Sequence, residues 1–146
     1  MSTDILTDLR EFVWVTKLHP VLVDFTAALV PVSVGSDCAA RLLRKDALGE
    51  TAWWCLAYAV FITPFTALSG WLFWMKDDTG SNGMAVHKWL GTSMVLLLAG
   101  LFAWRSRFRA RAQAVSGAYM ALGLLLVALL VYQGYLGGVQ VFSGMN

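Results

Sequence analysis

Four apolar stretches, at about 20–43, 51–75, 85–104 and 114–136, leave this chain little choice of fold. Each supplies the ~20 residues that a helix needs to cross ~30 Å of hydrocarbon. In lipid every backbone N–H and C=O must be satisfied within its own segment, so each stretch is expected to be helical. The links are short, so consecutive spans should run antiparallel. The expected fold class is all-α: an integral membrane four-helix bundle, up-down-up-down, in a single domain over 1–146. Only 14% of the residues are charged, against about 25% in a soluble domain. Residues 1–18 lack the basic start and cleavage pattern of a secretory signal. Within them Ile5, Leu6, Leu9, Phe12, Val13 and Val15 are spaced for a short helix lying on the membrane surface.

The basic residues set a direction. Arg41, Arg44 and Lys45 fall between spans 1 and 2, and Arg105, Arg107, Arg109 and Arg111 between spans 3 and 4. Opposite them, Arg10, Lys17, Lys76 and Lys88 are diluted by Asp4, Asp8, Glu11, Asp77 and Asp78. Arginine-rich loops stay in the cytoplasm. Both termini are therefore expected in the periplasm of a bacterial inner membrane. Trp53, Trp54 and Trp104 at one end, and Trp71, Trp74 and Trp89 at the other, suit interfacial belts. A net charge of +2 argues against a nucleic-acid partner. Cys38 and Cys55 form no CxxC or CxxCH motif and read as packing residues. No nucleophile has an adjacent base and no glycine loop is built for phosphate, so a hydrolase or transferase finds no support. Four short spans without an inverted repeat do not suggest a transporter.

The chain has two histidines. His19 opens span 1 and His87 opens span 3. Parallel spans put both imidazoles at one depth, and spans 1 and 3 face each other across the diagonal of a four-helix bundle, where two rings can grip one ligand. Gly70, Gly91, Gly134, Gly137 and Gly138 fall in the same layer. Glycines at one level open room for a flat guest or let helices approach closely. Asp24 is a carboxylate inside a span, and so a functional candidate. It lies ~7 Å deeper than His19 and about 140° around the helix, which makes one metal on both awkward. It could instead hold the N–H of His87, as outer carboxylates orient ligating imidazoles. Asp37 reads as an end-of-helix polar residue. Pro31 and Pro64 can kink their helices, with Ser33 or Thr63 re-satisfying the backbone.

"LHPVLVDF", "ALSGWLFW", "HKWLGTSM" and "GYLGGVQVFSG" together resemble a bacterial family of four-helix membrane proteins of unknown function. That family shows HP before a short apolar run, a glycine in the second span, a histidine opening the third and a GYLGG-x-x-V-[YF]-x-x-G ending. The likeness runs from about Leu18 to Gly144. It marks His19, Pro20, Gly70, His87, Gly137 and Gly138. Many members are similar to HP-x-x-x-HF, and here Asp24 replaces the second histidine. Members look like companions of periplasmic and respiratory redox proteins, which implies haem b. The leading expectation is thus a small b-type cytochrome, an electron-transfer subunit whose one haem His19 and His87 would ligate near the periplasmic face. It is expected to be non-catalytic and to meet the lipid bilayer and a periplasmic redox partner or larger membrane complex. The alternatives are a cofactor-free accessory subunit of such a complex, and a metal site of His19, His87 and Asp24.

Overall fold

The computed structural model describes residues 4–74 and 82–143. These form five helices: α1 (Ile5–Val15), α2 (Leu18–Leu43), α3 (Asp46–Trp74), α4 (Asn82–Ala110) and α5 (Gly117–Ser143). α2 to α5 are long and apolar enough to cross a membrane. The protein is an all-α membrane helical bundle. α2 packs on α3, α3 on α4, α4 on α5 and α5 back on α2, so the ring closes with α2 and α4 on a diagonal. Leu56, Leu98, Leu101 and Leu126 fill its centre. Lys76, Asp77, Asp78, Gly144 and the side chain of Trp74 lie outside the described residues.

α1 starts where the Asp4 carboxylate accepts from the Leu6 N–H, a standard N-cap that satisfies an orphan donor. Its Ile5, Leu9 and Phe12 form one exposed apolar stripe, while Val13 is buried and Trp14 lies 4.7 Å from Phe73 of α3. The chain turns into α2 through Lys17 in the left-handed region, φ 52°. The Lys17 ammonium stands 4.3 Å over the Trp14 ring, a contact that favours this turn.

α4 does not stop at Trp104. It continues to Ala110 and carries Arg105 inward, where the side chain is 6% exposed. Its Nε donates to both oxygens of Asp37, at 2.9 and 3.0 Å, and its Nη2 donates to the Gly49 carbonyl at 2.8 Å. Asp37 is therefore no helix-end residue: it is 1% exposed and bound to the diagonal helix. The pair corrects the expectation that Arg105 belongs to a loop. A buried charge requires a partner of opposite sign, and Asp37 supplies it. Farther along the helix, Arg109 pairs with Glu50 at 2.8 Å and covers the Trp53 ring at 4.2 Å. α5 begins at Gly117, later than the apolar run, because Ser116 caps it, its Oγ accepting from the Tyr119 N–H at 3.1 Å; the Val115 carbonyl before it accepts from Arg41 at 2.6 Å. The hydroxyls near the prolines act otherwise than expected. Ser33 donates across to the Ala52 carbonyl of α3 at 2.8 Å, and Thr63 donates to Ala59 at 2.6 Å, neither being the carbonyl that Pro31 or Pro64 frees.

The hairpins α2–α3 and α4–α5 place buried residues at matching positions. Shifting α2 by 68 positions lays His19 on His87, Thr26 on Met94, Val30 on Leu98, Ser33 on Leu101 and Asp37 on Arg105. After the histidines, every residue on both sides of that comparison is buried. Shifting α3 by 67 lays Ala52, Leu56, Ala59 and Gly70 on Tyr119, Gly123, Leu126 and Gly137; the first three pairs are buried on both sides. The halves run in the same direction, so they are parallel repeats about an axis along the bundle. The axis passes between the two side-chain pairs that join α2 to α4: the histidines at one end and Asp37–Arg105 at the other.

Removing one member of a buried ion pair costs about 3–5 kcal/mol, whereas apolar replacement of both is often neutral. Arg105→Met should accordingly destabilise the bundle strongly and Asp37→Leu with Arg105→Met should recover most of the loss, as read by unfolding in detergent micelles. A double variant as weak as the single one would contradict this assignment.

Candidate functional site

The two imidazoles meet at the end of the bundle that α1 covers. Their centroids are 6.5 Å apart and their planes stand at 90°. Each ring is held by the partner helix of its own hairpin. His19 Nδ1 lies 3.1 Å from the Thr66 carbonyl of α3, and His87 Nδ1 lies 3.0 Å from the Gln133 carbonyl of α5. A carbonyl can only accept, so Nδ1 carries the hydrogen in both rings and each Nε2 keeps its lone pair.

Glycines make these bonds reachable. Gly70 follows Thr66 by four residues, and Gly137 follows Gln133 by four. In an α-helix residues four apart stack on one face, so the side chain above each carbonyl would block the ring. A Cβ on Gly70 would stand 2.8 Å from His19 Cε1, and one on Gly137 would stand 2.9 Å from His87 Cε1. The repeat thus preserves a whole unit: imidazole, acceptor carbonyl and the glycine that admits the ring.

The halves differ in detail. Ser69 Oγ sits 3.2 Å from His19 Nδ1 and donates to the Thr66 carbonyl at 2.9 Å. Leu136 occupies the equivalent position beside His87. Phe73 lies 5.9 Å from the His19 ring, under Trp14 and Lys17, so α1 shields that imidazole. On the α3–α4 flank the Trp71 indole donates to Thr92 Oγ1 at 3.0 Å and meets Trp89 edge-on at 5.8 Å. Trp71 is therefore a bridge as well as a belt residue, and so is Trp53, which donates to Ser106 at 3.1 Å.

Of the other residues singled out in the sequence, Gly91 faces the Gln133 side-chain amide, which fills the space a Cβ would need. Among the described residues no side chain and no neighbouring helix comes within 4 Å of the Cβ positions of Gly134 and Gly138. Asp24 is exposed. It does not hold the N–H of His87, because the Gln133 carbonyl, on the helix next to α4, takes that hydrogen. Among the described residues no group of three or more His, Cys, Asp or Glu could hold a metal ion, so the set of two histidines with Asp24 is not brought together. Cys38 and Cys55 are free thiols. The acceptor carbonyls are what sequence reasoning missed; their signal was the glycine four residues farther on.

The chain belongs to the family described as predicted membrane protein (DUF2231), which matches residues 16–145. That match takes in both hairpins and every residue of the imidazole–carbonyl–glycine units. No curated protein and no solved structure matches the chain.

If the glycines admit the rings, Gly70→Ala and Gly137→Ala must push an imidazole off its carbonyl, at about 1–3 kcal/mol each as for other overpacked sites. Gly100→Ala, in open space, should be neutral or slightly stabilising. Thermal unfolding in detergent compares them; equal effects at all three positions would remove the special role of Gly70 and Gly137.

Proposed function

We propose that this protein is a small b-type cytochrome whose single haem is held between His19 and His87. One observation carries the reading: two imidazoles whose Nδ1 atoms are engaged by carbonyls, whose Nε2 atoms meet no hydrogen-bond partner among the described residues, and whose centroids stand 6.5 Å apart. A metal–imidazole bond is about 2.0–2.1 Å, and a ring centroid lies about 1.2 Å beyond its nitrogen. Two imidazoles in line on one ion would therefore stand ~6.5 Å apart.

The donor set favours haem over a bare ion. Two imidazoles leave an isolated metal short of ligands, whereas a porphyrin brings four equatorial nitrogens and needs only axial partners. Haem attachment would be non-covalent, since no CxxCH stands in the chain. The Thr66 and Gln133 carbonyls would fix ring orientation and raise imidazole basicity, and Ser69 would add a second acceptor on His19 alone. When bound, the haem supplies a one-electron couple. With His19 and His87 both on the iron, the site would suit electron transfer and not oxygen activation.

The arginine-rich loops support a bacterial inner-membrane location with the histidine end toward the periplasm. The partner would be a periplasmic redox protein, a larger respiratory complex or a lipophilic carrier.

Protein purified after expression with haem supply should show a Soret band that sharpens on reduction, with a low-spin α-band. His19→Ala and His87→Ala should each remove it. The perpendicular ring planes should give a strongly anisotropic low-spin electron paramagnetic resonance signal in the ferric state. A colourless protein, or bands unchanged in both variants, would overturn the reading in favour of a cofactor-free subunit.

A further inference from the structure

The arginine-rich end of the bundle carries more positive charge than the chain neutralises. Asp37 is taken by Arg105 and Glu50 by Arg109. Arg41, Arg44, Lys45, Arg107 and Arg111 are exposed and form no ion pair among the described residues. Asp46 is the only other carboxylate at this end among them.

Arg41 is the cation whose place is fixed. Its Nη1 reaches from α2 to the link before α5 and donates to the Val115 carbonyl at 2.6 Å. The rest of its N–H fork meets no acceptor among the described residues. The matched arginine shows what such a fork takes. The 68-residue shift lays Arg41 on Arg109, and the left-handed Arg44 (φ 53°) on the left-handed Ala112 (φ 50°), so the two helix ends correspond in their backbone as well. Arg109 grips the Glu50 carboxylate with Nε at 3.1 Å and Nη2 at 2.8 Å. The 67-residue shift lays Glu50 on Gly117. Beside Arg41, then, the chain supplies no anion. Among the described residues no side chain and no neighbouring helix comes within 4 Å of a Cβ on Gly117.

We propose that Arg41, with Arg44 and Lys45 close by in the chain, binds the phosphate of an anionic phospholipid, whose acyl chains lie on the apolar surface of α2 and α5. A planar guanidinium fork matches phosphate oxygens as it matches a carboxylate. The surroundings select a lipid over a soluble anion. Leu42 and Leu43, next to Arg41, and Leu124 of α5 are 79, 61 and 55% exposed. The guanidinium therefore stands where hydrocarbon gives way to water, the level of lipid phosphates, and basic groups between spans at that level bind anionic headgroups. Charge selects the headgroup. A zwitterionic lipid brings its own ammonium, which the unpaired Arg44, Lys45 and Arg111 repel; a lipid of net negative charge does not. Arg41 lies 22 residues from His19, ~33 Å along α2, so this site stands whether or not the histidines hold a haem.

The test uses the whole chain in neutral detergent, titrated with phosphatidylglycerol, phosphatidylcholine or inorganic phosphate, with binding read by native mass spectrometry. The parent should take up phosphatidylglycerol in preference to phosphatidylcholine. Arg41→Gln should weaken phosphatidylglycerol binding by about fivefold, as for one basic group at a membrane surface. Gly117→Glu puts a carboxylate where the matched position holds Glu50, and should weaken binding as much. An acidic residue in the first turn of a helix is favourable, so that variant should stay folded. Arg109→Gln removes the same charge from an arginine that is already paired, and should leave the preference in place. Binding unchanged in both Arg41→Gln and Gly117→Glu would overturn the proposal. An equal loss in Arg109→Gln would make the effect one of net charge and overturn the site. Inorganic phosphate that displaces phosphatidylglycerol at equal concentration would make this a free-anion site and overturn the lipid.

Discussion

Two hydrogen bonds from imidazole Nδ1 to a main-chain carbonyl organise the histidine end of this bundle. A helix carbonyl is already engaged by the amide four residues on, so it accepts a second hydrogen only from a donor that can approach its exposed side. Gly70 and Gly137 provide that approach. The bonds fix which nitrogen of each ring is protonated and leave the Nε2 lone pair available. Without the glycines the rings could not lie against α3 and α5, and their separation would not suit a shared ion.

The opposite end is tied by a different interaction on the same axis. Asp37 and Arg105 occupy equivalent positions of the repeat, as the histidines do, yet they carry opposite charges. Identical residues there would have repelled or left a charge unpaired in a low-dielectric interior. The two hairpins thus carry like residues at one matched position and oppositely charged residues at the other, where two side chains bind each other. Asp37 lies 18 residues from His19, ~27 Å along the helix, so the two ties hold α2 and α4 near opposite faces of the membrane.

The spans, their antiparallel order and the common depth of His19 and His87 were legible in the sequence because hydrophobic length and helical rise decide them. The hairpin repeat was not, because its equivalent residues share burial and seldom identity: Ser33 matches Leu101, and Ala52 matches Tyr119. Arg105 read as a loop residue because a charge count does not show that Asp37 waits across the diagonal. The acceptors on the histidines were hidden for a simpler reason. They belong to the main chain, so the identities of Thr66 and Gln133 do not announce them, and only the glycines four residues later hint at their use. Sequence placed five glycines in one layer and left open whether they make room for a guest or let helices approach. The structure divides them: two admit imidazoles, one receives the Gln133 side chain and two border open space.

The most direct test of the shared imidazole site is an iron X-ray absorption spectrum of the purified protein. Six nitrogen neighbours, with multiple scattering from two imidazole rings superposed on that of a porphyrin, are expected. An iron-free protein, or iron with a single imidazole, would contradict the central claim that His19 and His87 hold one haem between them.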